Sequence, residues 1–533
     1  MTARGFDVVV IGGGANGLVA SAVLGRAGLR VALVEGSETL GGQGRLIEFA
    51  PGFRGAPLGY DSGWLPPAVA RAMGLGPVAA PSPNGSLAVP MTDGGFLVLT
   101  ADATRAAEAI QPLSARDASQ WPAFTARLHR LAGFLEALYQ TPAPDIDSRS
   151  FDDLLPLLDL GRRFRGLGRV DMIEFLRTLP MSVWELLDDW FECAPLKAAV
   201  AAGGVQDYQH GPRSGGTGFV LLHHLVGAAR GAVRGRCGSW SAPAPFTELA
   251  EGIVRRSGVA IRTASRVTQI RIENDRAVGV VLAGGEAVDA AAVLSTAHAS
   301  HTLLDLVDPV WLDPEFLHAI GNIRYRGCTS VVLYALGHLP EMPGLPREAL
   351  AGVCSLTGSL EALERAADAA KYGEVPGAPH IEVTVPTLCR PELAPAGRHV
   401  LAARVQYAPY RLRDGAVWDA HRREALADAV TAAIGRVCPG FASAILHRVA
   451  WSPRDLEEHF GLCEGAVSHG ELGLDQILFM RPVPGWGRHA TPIAGLYLAG
   501  AGTHPGPGVL GGPGWLAARR LLADREGRKK GAA

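Results

Sequence analysis

Three glycines at the spacing G-x-G-x-x-G, Gly12, Gly14 and Gly17, follow directly on the β-branched run from Asp7 to Ile11. Such a run reads as a parallel strand buried on both faces. The glycines divide the work after it. Gly12 permits a tight turn, Gly14 lets the backbone approach a pyrophosphate, and Gly17 lets the next helix pack closely on the strand. With Ala15 and Asn16 they open a helix whose unpaired N–H groups and positive dipole end stabilise phosphate charge without a lysine. The helix is predicted to run through Leu24 to about Ala27, and a second strand, Arg30 to Val34, ends at Glu35 and Gly36. The Glu35 carboxylate stands where it would accept hydrogen bonds from an adenosine ribose.

With 67 glycines among 533 residues, this spacing arises by chance about once per chain, so the order strand, turn, helix, strand and terminal acid carries the reading. The motif serves any ADP-containing dinucleotide. A second cluster, Gly41, Gly42, Gln43, Gly44 and Arg45, adds a guanidinium within reach of a pyrophosphate. Near the other end, Gly495 to Leu498 reads as a buried strand running into Ala499, Gly500, Ala501, Gly502, Thr503 and His504. Val509 and Leu510 lead to Gly511 and Gly512, and a helix is predicted from about Pro513 to Ala523. Its N-terminus would favour negative charge on a reduced flavin.

The two ends, VVVIGGGANGLVAS and LYLAGAGTHPGPGVLGG, together resemble the phytoene-desaturase-like FAD oxidoreductases, a group that includes retinol saturases and phytoene-dehydrogenase-related proteins. Asp188-Asp189-Trp190-Phe191, Pro195-Leu196-Lys197, Leu221 to His224, His469-Gly470-Glu471 and Arg481-Pro482 extend the likeness inward. It implies an α/β fold, a Rossmann-type, glutathione-reductase-like FAD-binding domain with an inserted α+β substrate domain. Gly12, Gly14, Asn16, Gly17, Glu35, Gly42, Arg45, Gly500, Gly502 and Val509 would then touch FAD, and Ala15, Gly36, Gln43, Gly44, Ala501 and Leu510 lie among them. Two places depart from the pattern: Gly238 to Pro243 replaces a G-G-M-G stretch, and Gln43-Gly44 precedes Arg45.

Between these ends, Val259 to Val293 alternates around turns at Glu273 to Asp275 and at Gly284-Gly285, the pattern of a β-meander. By analogy Val267 would lie near the adenine; the plain alternative is an ordinary antiparallel sheet. The FAD-binding domain is assigned to 1–75, 236–298 and 446–533. The substrate domain takes 76–235, which is mostly helical, and 299–445, where strands are predicted at His380 to Val385 and His399 to Val405. Leu157 to Arg177 combines leucines with Arg162, Arg163, Arg165 and Arg169. It reads as a solvated helix broken by Gly161, Gly166 and Gly168, with contact to anionic lipid as the rival reading.

A flavin takes up hydride, so a dedicated nucleophile is not required and the protein supplies orientation, dryness and a place for the proton. His504 leads as the proton carrier, with His223 and His224 behind it; the bland reading is that His504 braces a turn and the pair caps or packs a helix. The expected reaction is dehydrogenation, saturation or isomerisation at carbon–carbon bonds of a largely apolar, carotenoid-, isoprenoid- or lipid-like molecule. Oxygen, a quinone or NAD(P) each suit as electron acceptor. An FAD-dependent amine oxidase and a flavin scaffold without turnover are the alternatives. The chain is 48% hydrophobic and 19% charged with a net charge of -2, which suits a folded enzyme and argues against nucleic-acid partners. Seven scattered cysteines show no C-x-x-C pair or metal-ligand spacing, so no metal and no dithiol chemistry is expected, and the compartment reads as a reducing cytoplasm. A mean hydropathy of +0.15 leaves room for peripheral contact with a membrane, though no apolar run approaches about 18 residues.

Overall fold

The computed structural model describes residues 5–58, 63–76, 86–91, 94–144, 151–228, 233 and 246–531. The segment Gly238 to Pro243 lies outside them. Five short strands, β1 (Val8–Ile11), β2 (Val31–Val34), β3 (Ala260–Arg262), β4 (Val293–Ser295) and β5 (Leu496–Leu498), form one sheet in the order β5-β4-β1-β2-β3. All four pairings are parallel. Val8 and Val10 face one apolar cluster with Leu33, Leu294 and Tyr497; Val9 and Ile11 face another with Ala32, Val34 and Leu498. Because both faces are covered, these strands are continuously apolar instead of alternating.

The first cluster is roofed by helices, chiefly Ala15–Arg26, Phe246–Arg256 and Gly512–Gly531. The second is roofed by a three-stranded antiparallel sheet of Val267–Glu273, Arg276–Leu282 and Ala287–Asp289. The predicted meander is therefore present, but narrower at both ends. Ala260–Arg262 leaves it to pair with β2, and Val293–Ser295 leaves it to pair with β1. Asn274 and Asp275, at φ 51° and 57°, make its first turn, and Gly285 at φ 80° its second.

A second sheet has seven strands in the spatial order Ile445–Trp451, Thr329–Leu336, His399–Gln406, His380–Thr384, Val353–Ser355, Ser86–Pro90 and Phe96–Thr100. Helices from Ala103 to Leu225 pack with its last strands around Trp121, Phe124 and Phe191. Phe151–Gly166 and Gly168–Thr178 are separate helices, and the break falls at Gly168, whose φ is +79°. Gly161 does not interrupt its helix, and it lines a cavity there.

Candidate functional site

The cradle at the carboxyl end of β1 is packed at glycine distance throughout. Gly12 sits at φ +95°, and a Cβ at Gly17 would fall 1.9 Å from the Gly12 carbonyl oxygen. The second glycine cluster meets the first: the Gly41 N–H donates to the Gly13 carbonyl at 2.9 Å, and a Cβ at Gly42 would fall 2.9 Å from Gly14 Cα. Glu35 accepts at Oε2 from the Gly13 N–H and at Oε1 from the Ser37 N–H, both at 2.7 Å. It thus ties the end of β2 to the turn. Gly36 is exposed beside Arg266, and Ser265 N–H donates to the Glu35 carbonyl at 2.8 Å, which sets Val267 two residues from the acid.

Gly14 caps the helix Ala15–Arg26 with no side-chain hydrogen bond, and the buried Asn16 Oδ1 has no protein partner among the described residues. A Cβ at Gly514 would lie 2.0 Å from the Asn16 carbonyl, so the first turns of two helices, this one and Gly512–Gly531, press together at the cradle. Their N-termini are the anion-stabilising ends. Arg45 packs beside Gly41, its Nη2 donates to the His459 carbonyl at 3.0 Å and its guanidinium covers the Phe460 ring. The neighbouring Gln43 donates to the Val467 carbonyl at 2.9 Å.

β5 delivers Gly500 to Thr503 against the end of β4. A Cβ at Gly500 would fall 2.6 Å from the Thr296 carbonyl and one at Gly502 2.9 Å from that of His469. The following loop is clipped to residue 64: Trp64 N–H donates to Gly508 at 2.8 Å, and Leu510 N–H to Trp64 at 2.7 Å. Val509, 4% exposed, lies in this clip.

Two cavities flank the 504–508 loop. One, of about 320 Å³, is almost wholly apolar, with Phe134, Leu138, Leu160, Phe164, Phe175 and Pro505 in its wall. The other, of about 100 Å³, is the more polar of the two and includes Gln43, Asp207, Tyr208, His224, Arg404 and Ala501. Asp207 is ion-paired with Arg404 and accepts from Thr329 Oγ1 at 2.9 Å. Sequence reasoning missed Asp207 and Arg404. A lone arginine inside the apolar strand His399–Gln406 was the available signal, since a charge there must be paired.

The three histidines separate. His504 borders neither cavity: its Nε2 donates to the Thr141 carbonyl at 3.0 Å, and burial pulls its pKa down to about 4. It is a neutral brace, so the expectation that it leads as proton carrier is not met by its placement. His223, fully buried, donates from Nε2 to the Pro507 carbonyl at 2.9 Å and accepts at Nδ1 from Tyr139 OH at 2.7 Å, which fixes its tautomer. His224 alone faces the polar cavity. Its Nδ1 donates to the Gly203 carbonyl at 2.7 Å, which makes Nε2 the basic nitrogen, and its ring stacks on Tyr208. Among the described residues no group of three or more His, Cys, Asp or Glu could hold a metal.

A parallel sheet with glycine-packed cradles at the ends of β1 and β5, two converging helix N-termini and an unpartnered buried amide oxygen fits the ADP half of FAD. The protein is an FAD-dependent oxidoreductase, and its fold is that of the flavoprotein amine oxidases. The chain belongs to the flavin-containing amine oxidoreductase family, whose model matches residues 16–521. It is 33% identical to the pyridine nucleotide-disulfide oxidoreductase domain-containing protein 2 of Rattus norvegicus, covering 97% of this chain and 94% of that one. To the phytoene desaturase (lycopene-forming) of a Paracoccus species it is 25% identical, covering 97% of each, in keeping with the resemblance read from the two ends. Among solved structures it is similar to an oxidoreductase from Methanosarcina mazei, with a TM-score of 0.58 at 16% identity over 97% of this chain and 99% of that one. Wild-type putrescine oxidase bound to putrescine gives 0.57 at 15% identity over 98% and 99%. These two show the fold alone.

Proposed function

We propose that this enzyme dehydrogenates, saturates or isomerises carbon–carbon bonds of a largely apolar, isoprenoid- or lipid-like molecule. FAD when bound supplies a hydride acceptor at N5. The single observation that carries the reading is the apolar cavity of about 320 Å³ on one side of the 504–508 loop, next to the polar cavity on the other. A chain is held by the first, and the proton that accompanies hydride transfer goes to His224 Nε2 in the second. The FAD contacts are the glycine cradle around Gly12 to Gly17 and Gly42, Glu35, and the turn from Gly500 to Leu510. The FAD-binding domain comprises 1–75, 236–298 and the part after Trp451, a boundary moved from 446 because Ile445–Trp451 pairs with Thr329–Leu336.

Amine oxidation is the second reading, favoured by the fold shared with putrescine oxidase. Anaerobic mixing of the FAD-loaded protein with phytoene in detergent micelles and, separately, with putrescine distinguishes them. Bleaching of the flavin by phytoene and not by putrescine is expected. Bleaching by putrescine alone overturns the proposal, and a flavin that stays oxidised with both leaves a scaffold without turnover as the better account.

Peripheral membrane contact and a reducing cytoplasm belong to the same reading. Leu158, Val170, Ile173 and Leu176 are 52–63% exposed on the two helices that also wall the apolar cavity. Arg162, Arg165 and Arg169 stand exposed beside them. That combination suits an anionic lipid surface; no helix among the described residues is long and apolar enough to cross a membrane. Flotation with anionic phospholipid vesicles is expected, and recovery wholly in the unbound fraction removes the idea.

A further inference from the structure

Arg481 is 1% exposed, yet none of its hydrogen bonds goes to a carboxylate. Nε and Nη2 both donate to the Ala501 carbonyl, at 3.1 and 2.9 Å. Nη2 also donates to the carbonyls of Ser468 at 2.8 Å and Gly470 at 3.3 Å, and Nη1 to those of Glu471 and Gln476, each at 3.4 Å. The acids nearby are engaged elsewhere: the Glu471 carboxylate takes Arg326 Nε at 2.8 Å, and Asp475 takes Arg324 at 3.0 Å. Carbonyl dipoles solvate the guanidinium and fix its plane, but they do not cancel its unit charge. Burial pulls its pKa down, and an arginine nonetheless stays protonated.

Two of these acceptors, Ala501 and Ser468, line the polar cavity. The cation therefore sits directly behind the wall that faces the flavin site, in surroundings where water screens it little. We propose that Arg481 is a positioning residue that pins the Gly500–Gly502 turn through Ala501 and places a positive potential behind it, favouring the more negatively charged reduced flavin. This rests on the reading of that turn as a flavin contact.

Charge and hydrogen bonding are separated by Arg481→Lys, which keeps the charge and loses the fork, and Arg481→Gln, which keeps donors and loses the charge. Reduction potentials of the FAD-loaded proteins are measured by dye-equilibrium titration, with FAD occupancy and thermal midpoint recorded alongside. Arg481→Gln is expected to be at least tenfold less reduced at a fixed ambient potential, about 30 mV for a two-electron couple. Arg481→Lys should stay within about threefold of wild type while binding FAD more weakly. An unchanged potential in Arg481→Gln overturns the inference and makes Arg481 a mere staple. If Arg481→Gln does not fold, Arg481→Lys is titrated from pH 6 to pH 9: its potential should fall relative to wild type as the buried lysine loses its proton, and a difference that does not change with pH overturns the inference equally. Wild-type protein that takes up no FAD would instead refute the flavin site itself.

Discussion

The cradle at β1 and the polar cavity are built from opposite materials. In the cradle, side chains are absent where they would be in the way: Gly17 lies against Gly12 and Gly42 against Gly14 at distances that exclude a methyl group. What the cradle presents is main-chain N–H groups and helix ends. In the cavity, the wall is made of side chains drawn from remote segments, Gln43, Asp207, His224 and Arg404 among them. A backbone site therefore fails by crowding, and a side-chain site by unbalanced charge.

The largest effect is expected for Gly17→Val. Its Cβ would sit 1.9 Å from the Gly12 carbonyl oxygen, and backbone on both sides cannot yield as a flexible side chain would. Purified protein should carry no FAD, read as the ratio of flavin to protein absorbance; near-normal occupancy would show that the cradle relaxes and the contrast between the two regions is overdrawn.

Next comes Arg404→Leu, which strands the buried Asp207 carboxylate. Both partners are nearly nine-tenths buried, with side-chain exposures of 10% and 14%, so losing one is expected to cost about 3–5 kcal/mol. Adding Asp207→Asn should recover more than half of that, because the stranded charge is what destabilises. Thermal midpoints of the single and double variants check this; if the double is as unstable as the single, packing matters more than charge.

These contrasts explain what was legible. Glycine spacing at Gly12 to Gly17 is local, and it reports a constraint enforced within a few residues, so that close-packed turn could be read along the chain, whereas Gly500 and Gly502 are pressed by Thr296 and His469 from far off in sequence. The parallel strands were readable for the same reason, since double burial removes alternation. The polar cavity was not: Asp207 and Arg404 are brought together by the pairing of helices with a sheet whose strand order, 445–451 beside 329–336 beside 399–406, follows no sequence signal. Arg45 shows the converse. Its place after a glycine cluster suggested phosphate, but the aromatic Phe460 and a carbonyl at the end of the helix Pro453–Phe460 hold it. His504 was favoured by nearness to a motif in sequence, and the structure holds it on the Thr141 carbonyl.

That distinction between the histidines is open to a kinetic test. His224→Gln should lower the rate of anaerobic flavin reduction by about 10²-fold or more with little change in melting. His504→Leu should leave that rate within a few-fold and lower stability by about 1–2 kcal/mol, through the lost hydrogen bond to the Thr141 carbonyl. The reverse pattern would move proton transfer to the 504–508 loop and demote the cavity.

The smallest effect comes from a glycine that serves no site. Gly133, inside the helix Ala115–Tyr139, is exposed, and a Cβ there would meet nothing within 4 Å. Its only consequence is extra backbone freedom in the unfolded chain, so Gly133→Ala should stabilise by about 0.5–1 kcal/mol and raise the thermal midpoint slightly, with FAD occupancy unchanged. Adding a Cβ would thus have opposite consequences at two glycines of one protein. A destabilised Gly133→Ala would mean that contact with a neighbour, and not conformational freedom, governs that helix face, which would weaken the use of empty space around a glycine as a guide to its function.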